Sequence, residues 1–205
     1  MEQRSDDWYK ARLGRFTASR ISELLADKGV GKTGESYVFE KACEIVFGSS
    51  DDEDFVPFDI KRGIELEPFA FDKFKAIKAL EFIEVQKTTF FPYGEHAGAS
   101  PDGLVGNDAC LEIKCPRPTK LFRLIKDGLK AIDKVYYDQM QMQMLCTNSN
   151  KCYFFNYVIF KGKELYHEII VERDDNRIEL IKNRIKEAIE LRDSYVLEIK
   201  KNIQF

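Results

Sequence analysis

Residues 100–116 read Ser-Pro-Asp-Gly-Leu-Val-Gly-Asn-Asp-Ala-Cys-Leu-Glu-Ile-Lys-Cys-Pro, and they limit the fold more than any other stretch. Gly106, Asn107 and Asp108 are turn formers between two short apolar runs, which predicts a β-hairpin. Side chains alternate along a strand, so Glu112 and Lys114 leave one face while Leu111, Ile113 and Cys115 leave the other. The apolar face requires a core. With the turn centred on Asn107 and Asp108, Asp102 falls nearly opposite Ile113, between the levels of Glu112 and Lys114. Two carboxylates and an amine then converge.

Asp102 and Glu112, together with the Ile113 backbone carbonyl, offer hard oxygens that suit Mg2+, with Mn2+ as a substitute, since both ions keep waters for an incoming phosphate. Lys114 would hold and polarise the attacking water, and a metal would stabilise charge developing on the phosphoryl oxygens. That is the chemistry of phosphodiester hydrolysis without a covalent intermediate. A solvated strand face also carries Glu-x-Lys, and Asp-Gly is a common turn, so these residues alone leave both readings open.

A chain of 205 residues can bury one sizeable core. No repeat or linker divides it, so a single domain over 1–205 is expected. The first residues do not form a signal peptide and no apolar run reaches the length of a membrane span, which predicts a cytoplasmic protein without membrane contact. The five cysteines are scattered and form no Cys-x-x-Cys pair, which argues against zinc and against a disulfide framework. His96 and His167 lie far apart, so histidine catalysis is not expected.

The formal net charge of -3 does not mark a nucleic-acid binder, but its distribution is uneven. Basic residues gather at Arg12, Arg15, Arg20, Lys28 and Lys32, and again at Arg117, Lys120, Arg123, Lys126 and Lys130, while acid gathers at 51–54. The basic groups suit either a channel lining or solvated helix faces.

Asp6 or Asp7 can cap a helix that Gly14 closes, and a second helix is expected after residues 16–19, burying Ile21, Leu24 and Leu25. The amides at its start, with Ser19 and Arg12, would suit a phosphate. Residues 26–33 imitate a nucleotide-binding loop, but Ala26 replaces its first glycine and no strand precedes it. Residues 35–47 have helical apolar spacing at Val38, Phe39, Ala42, Ile45 and Val46, and 49–54 form an acidic loop. Pro68 is placed in the first turn of the next helix, which leaves Glu67 near a helix start as a cap or a metal contact.

Residues 85–91 and 96–100 read as strands, the second delivering Asp102. Beyond the hairpin, Pro116 and Pro118 end the strand and a basic helix carries Leu121, Phe122, Leu124 and Ile125. Residues 136–145 alternate, yet Gln and Met favour helix and none is β-branched, so helix is expected, with Tyr136, Gln139 and Gln143 on one face. A hairpin over 151–160 and 164–172 and a long amphipathic helix finish a mixed central sheet flanked by helices.

Several ordered motifs resemble one family. Trp8-Tyr-Lys-Ala-Arg12 with Thr17-Ala-Ser19, Gly63-x-x-x-Glu67, Ser100-Pro-Asp102-Gly, Leu-Glu112-Ile-Lys114-Cys-Pro, Tyr136-x-x-Gln139-x-Gln and Ile170-Val-Glu172-Arg-Asp174 are similar to blocks of the phage lambda exonuclease group, the YqaJ-like viral recombinases of the PD-(D/E)XK nuclease superfamily. The resemblance covers nearly all of the chain. It implies an α/β restriction-endonuclease-like core and a Mg2+-dependent exonuclease that degrades linear double-stranded DNA from its 5′ end. A structure-specific endonuclease of the same superfamily and a non-catalytic DNA-end binder are the alternatives. By the same resemblance Asp102 and Glu112 bind metal, Glu67 supports a second metal or its water, Lys114 activates the nucleophile, and Gln139 and Tyr136 order the site. Arg12, Ser19, Ser100 and Lys120 would hold the 5′-phosphate, with Lys120 standing where the best-known member has arginine. A homotrimeric ring and a single-strand annealing partner are also implied.

Overall fold

The computed structural model describes residues 3–49 and 58–203. Along the chain run α1 (Asp6–Arg12), β1 (Phe16–Thr17), a 3-10 helix (Ala18–Leu24), α2 (Gly31–Phe47), α3 (Phe58–Leu80), β2 (Val85–Lys87), β3 (Phe91–Tyr93), β4 (Ala97–Ala99), β5 (Gly103–Val105) and β6 (Ala109–Lys114). There follow α4 (Pro118–Asp127), a 3-10 turn (Gly128–Ala131), α5 (Lys134–Thr147), β7 (Lys151–Phe160), β8 (Lys163–Glu172) and α6 (Asp175–Asn202). The larger sheet has the order β2-β5-β6-β7-β8, mixed because β6 and β7 run parallel while its other pairs are antiparallel. A smaller sheet, β1-β4-β3, stands beside it where one mixed sheet was expected.

The predicted hairpin is β5–β6, closed by a three-residue turn at 106–108 in which Gly106 takes a left-handed φ of 58°. Three turn residues rather than two shift the register: Gly103 faces Leu111, so Asp102 comes level with Glu112 rather than Ile113. Alternation along β6 then divides two cores. Ala109, Leu111 and Ile113 pack with Phe71 and Phe74 of α3, and Cys110 packs with Met140 and Met144 of α5 and Leu124 of α4. Glu112 and Lys114 share the Cys110 face and therefore point toward α5.

The strand expected over 85–91 is two strands in different sheets. The chain crosses between them where Thr88 Oγ1 donates to the Pro101 carbonyl. Phe90 then covers Gly98, where a Cβ would lie 2.2 Å from the ring, so only glycine allows that packing. The expected second helix is a 3-10 helix, with Ile21, Leu24 and Leu25 buried as read. Ser5, not Asp6 or Asp7, caps α1, its hydroxyl accepting from the Trp8 amide at 3.3 Å.

Helix α2 begins at Gly31, and its Phe39 and Ile45 are exposed rather than buried. Its inner face instead carries Tyr37, Val38, Lys41, Ala42 and Glu44. Of the acidic loop, residues 50–54 lie outside the described residues.

Helix α3 starts ten residues ahead of Pro68, which is interior and not in the first turn. An interior proline removes one helical hydrogen bond and costs about 3 kcal/mol. Here it leaves the Ile64 carbonyl without its helical donor, one turn before Pro68. Glu67 is consequently a mid-helix residue, which rules out the capping role.

Residues 134–147 are helical, as the Gln and Met content required. Asp138 of α5, fully buried, takes both forks of Arg177 at 2.6 and 2.8 Å and ties α5 to the start of α6. Asp138→Ala would leave that guanidinium without its carboxylate, and a loss of about 3 kcal/mol is expected from urea unfolding. A loss below about 1 kcal/mol would place the pair among ordinary surface ion pairs.

Candidate active site

Glu112 is 2% exposed, and three donors converge on it. Gln139 Nε2 reaches Oε1 at 2.8 Å, Gln143 Nε2 reaches Oε2 at 2.5 Å, and Lys114 Nζ reaches Oε1 at 2.5 Å. The two glutamines are one turn apart on α5, so a single helix face supplies both amides. Tyr136, on the preceding turn, lies under Lys114 with its ring centroid 4.7 Å from Nζ, and rests on Phe154. Tyr136 therefore holds the ammonium through its ring face.

Asp102 stands across the hairpin. Its Oδ2 accepts from the Ile113 amide at 2.6 Å, while its own amide donates to the Leu111 carbonyl at 2.9 Å. Removal from water raises the Asp102 carboxyl well above the usual carboxylate range, and Glu112 and Glu67 push it the same way. Lys114 moves oppositely to what its burial alone would give: Glu112 and Asp102 outweigh the desolvation and hold the ammonium above its ordinary value. The site thus carries an excess of carboxylate that one lysine does not neutralise.

That excess is the test of whether a divalent cation fits. Asp102 and Glu112 at one level, with the Ile113 backbone between them, are hard oxygen donors. Asn156, paired with Lys114 in the sheet, is buried with an Oδ1 that has no donor among the described residues, and it lines a cleft together with Lys114 and Ile113. The donor set fits Mg2+ or Mn2+. Among the described residues no three His, Cys, Asp or Glu side chains already form a metal cluster. Glu67, expected to assist, is ion-paired with Arg4 at 2.5 Å.

Two cavities border this centre, and a third shares Arg4 with both. One of about 740 Å³ is lined by Asp102, Ile113, Glu67, Gln86 and Thr88. A second of about 530 Å³ is lined by Lys114, Ile113, Glu67, Tyr136 and Lys120. The third, about 1000 Å³, contains Trp8, Arg12, Thr17 and Arg20.

The residues expected to hold a phosphate are only partly assembled. The Arg12 guanidinium lies 3.9 Å over the Trp8 ring, and Trp8 Nε1 donates to Ser100 Oγ at 2.9 Å, so Trp8 joins Arg12 to Ser100. Ser19 Oγ lies 3.3 Å from Thr17 Oγ1 on the neighbouring wall. Lys120 lines the cleft of Lys114 and Tyr136 instead, bound to Asp133 at 2.6 Å.

Sequence reasoning did not find the second amide on Glu112, the bridging role of Trp8, or Arg4. For Gln143 a signal existed, its position one turn after Gln139. For Arg4 none did.

Residues 7–150 match the YqaJ-like viral recombinase domain. No curated protein is a match to the chain. Among solved structures, LHK-Exo in complex with dAMP is 29% identical, with 96% of this chain and 97% of that chain covered and a TM-score of 0.83. The alkaline exonuclease LHK-Exo from Laribacter hongkongensis gives 29%, 96%, 97% and 0.81 in the same terms. A phage-related exonuclease from Haemophilus somnus 129PT, at 19% identity, 90% and 96% coverage and a TM-score of 0.71, shares the fold. With the matched residues spanning well over half of its length, the chain belongs to the YqaJ-like viral recombinase domain family.

Proposed function

We propose that this chain is a Mg2+-dependent 5′ to 3′ exonuclease acting on linear double-stranded DNA and leaving 3′ single-stranded tails for phage-type recombination. The family and its alkaline exonuclease relatives give the coarser statement, a DNA exonuclease. The finer reading is carried by the convergence of Asp102, Glu112 and Lys114 where two clefts meet, in the arrangement of a PD-(D/E)XK core. A relative captured with dAMP, a deoxynucleoside monophosphate, is in keeping with stepwise release of nucleotides.

Asp102, Glu112 and the Ile113 carbonyl would hold the metal, with Glu67 in reach of a second ion or its water. Mg2+, when bound, supplies positive charge opposite the phosphoryl oxygens and a water of lowered pKa. Gln139 and Gln143 fix the plane of the Glu112 carboxylate. Lys114, held over Tyr136, orients the attacking water and faces the charge that develops on the phosphate. Arg12, Ser100 and Ser19 receive the 5′-phosphate, and Lys120 approaches from the catalytic cleft. A homotrimeric ring around the DNA and a single-strand annealing partner complete the proposal.

Digestion of linear duplex bearing 5′-phosphate or 5′-hydroxyl ends, with circular duplex as control, tests this. Loss of linear DNA alone, faster from phosphorylated ends and abolished by EDTA, is the expected result. Cutting of circles would make the chain an endonuclease, and end binding without cleavage would make it a binding module.

A further inference from the structure

The segment ahead of α1 is fastened across the catalytic hairpin rather than left in solvent. Gln3 Nε2 donates to the Pro101 carbonyl at 2.9 Å, one residue before Asp102. Trp8 reaches Ser100, the residue before that. Between these two anchors Arg4 adopts a left-handed φ of 68°, uncommon for a residue with a Cβ. Its guanidinium meets Glu67 on α3. Arg4 is thereby placed on the walls of all three cavities at once.

The position has a consequence for any bound strand. A chain of phosphates running from the Arg12 cavity to Lys114 passes Arg4, because Arg4 lines the Arg12 cavity and also the cleft that contains Lys114. The ion pair that holds Arg4 is weak by its setting: the two side chains remain 40% and 28% exposed, in the range where exposed pairs contribute about 0–1 kcal/mol. A planar guanidinium donates to a phosphate in the same two-pronged geometry as to a carboxylate. The exchange of one for the other therefore needs little energy. It would also release Glu67 beside Asp102, where a cation has use for it.

We propose that Arg4 is a phosphodiester-binding residue for the substrate strand, held on Glu67 in the free protein and transferred to an internucleotide phosphate when a DNA end enters. This rests on the DNA exonuclease reading above. It adds a contact from the N-terminal segment to the phosphate groups already considered, and it ties substrate entry to the freeing of Glu67.

The test is binding of a fluorescent, 5′-phosphorylated linear duplex in EDTA, where no cleavage intervenes, over a range of salt. Arg4→Ala is expected to weaken binding roughly tenfold and to reduce the slope of log K against log salt by about one phosphate contact. Arg4→Lys should keep the slope while recovering only part of the affinity. Glu67→Gln should tighten binding, and that gain should shrink when Arg4 is already alanine. Circular dichroism of each variant reports its folding.

Unchanged affinity and slope in a folded Arg4→Ala overturn the proposal and leave the exonuclease reading intact. An equal gain from Glu67→Gln with and without Arg4 overturns the transfer between the two partners. Failure of the wild-type protein to bind any linear duplex removes the underlying reading, and the proposal with it.

Discussion

Lys114→Ala is expected to lower the rate of DNA cleavage roughly a thousandfold, the scale on which removing one preorganised donor acts, while binding of DNA ends stays close to wild type. The side chain is 27% exposed and lines the cleft, so on the proposed function it would meet the reacting phosphate rather than the body of a bound duplex. Its ammonium is fixed between the Glu112 carboxylate and the Tyr136 ring, which leaves it little freedom to reorganise during the reaction. Lys114→Arg should not restore the rate, because a forked guanidinium cannot occupy the position of a point charge held 2.5 Å from one carboxylate oxygen. Single-turnover cleavage of phosphorylated linear duplex, paired with a gel shift in EDTA, separates the two effects. Cleavage by Lys114→Ala near the wild-type rate would remove lysine from the mechanism.

Which parts of this site were legible in the sequence follows from distance along the chain. The hairpin, the shared face of Glu112 and Lys114, and the helix carrying Tyr136, Gln139 and Gln143 are products of local rules: alternation, turn chemistry and propensity. The register differs by one residue from that expected because the turn holds three residues, and turn formers alone do not say how many of them lie outside the ladder. Helix α3 starts ahead of the position that proline at N1 favours, because tertiary packing of Phe71 and Phe74 overrides that preference. Phe39 fits a helical apolar pattern yet stays half exposed, edge-on to Tyr195 of α6, since the inner face of α2 is taken by Tyr37 and the Lys41–Glu44 pair. The contacts that were not read at all, Gln143 to Glu112, Arg4 to Glu67 and Trp8 to Ser100, join residues 31, 63 and 92 positions apart. Helical spacing puts Gln143 on the Gln139 face, but no periodic pattern carries the pairings themselves. The family resemblance named Glu67 and Ser100 without naming what holds them.

Replacing Glu112 should separate folding from chemistry. Glu112→Ala removes the acceptor from two buried amides and from the Lys114 ammonium in one step, so a loss of about 3–5 kcal/mol in stability is expected together with loss of nuclease activity. Glu112→Gln keeps the shape and one acceptor oxygen but turns the other position into a donor. That donor would oppose Gln139 or Gln143, were the amides rigid. Gln143, however, has an Oε1 that is buried without a partner among the described residues, and rotating its amide by half a turn would bring this oxygen to face the new donor. The cost of Glu112→Gln should then fall to about 1 kcal/mol, while cleavage is still lost because a neutral amide contributes no charge to the Asp102 pair. Urea unfolding and a cleavage assay on both variants measure the two quantities independently. Equal destabilisation by Gln and Ala would mean that Gln143 cannot rotate and that the carboxylate is needed for folding; near-normal cleavage by Glu112→Gln would mean that the reacting centre is elsewhere.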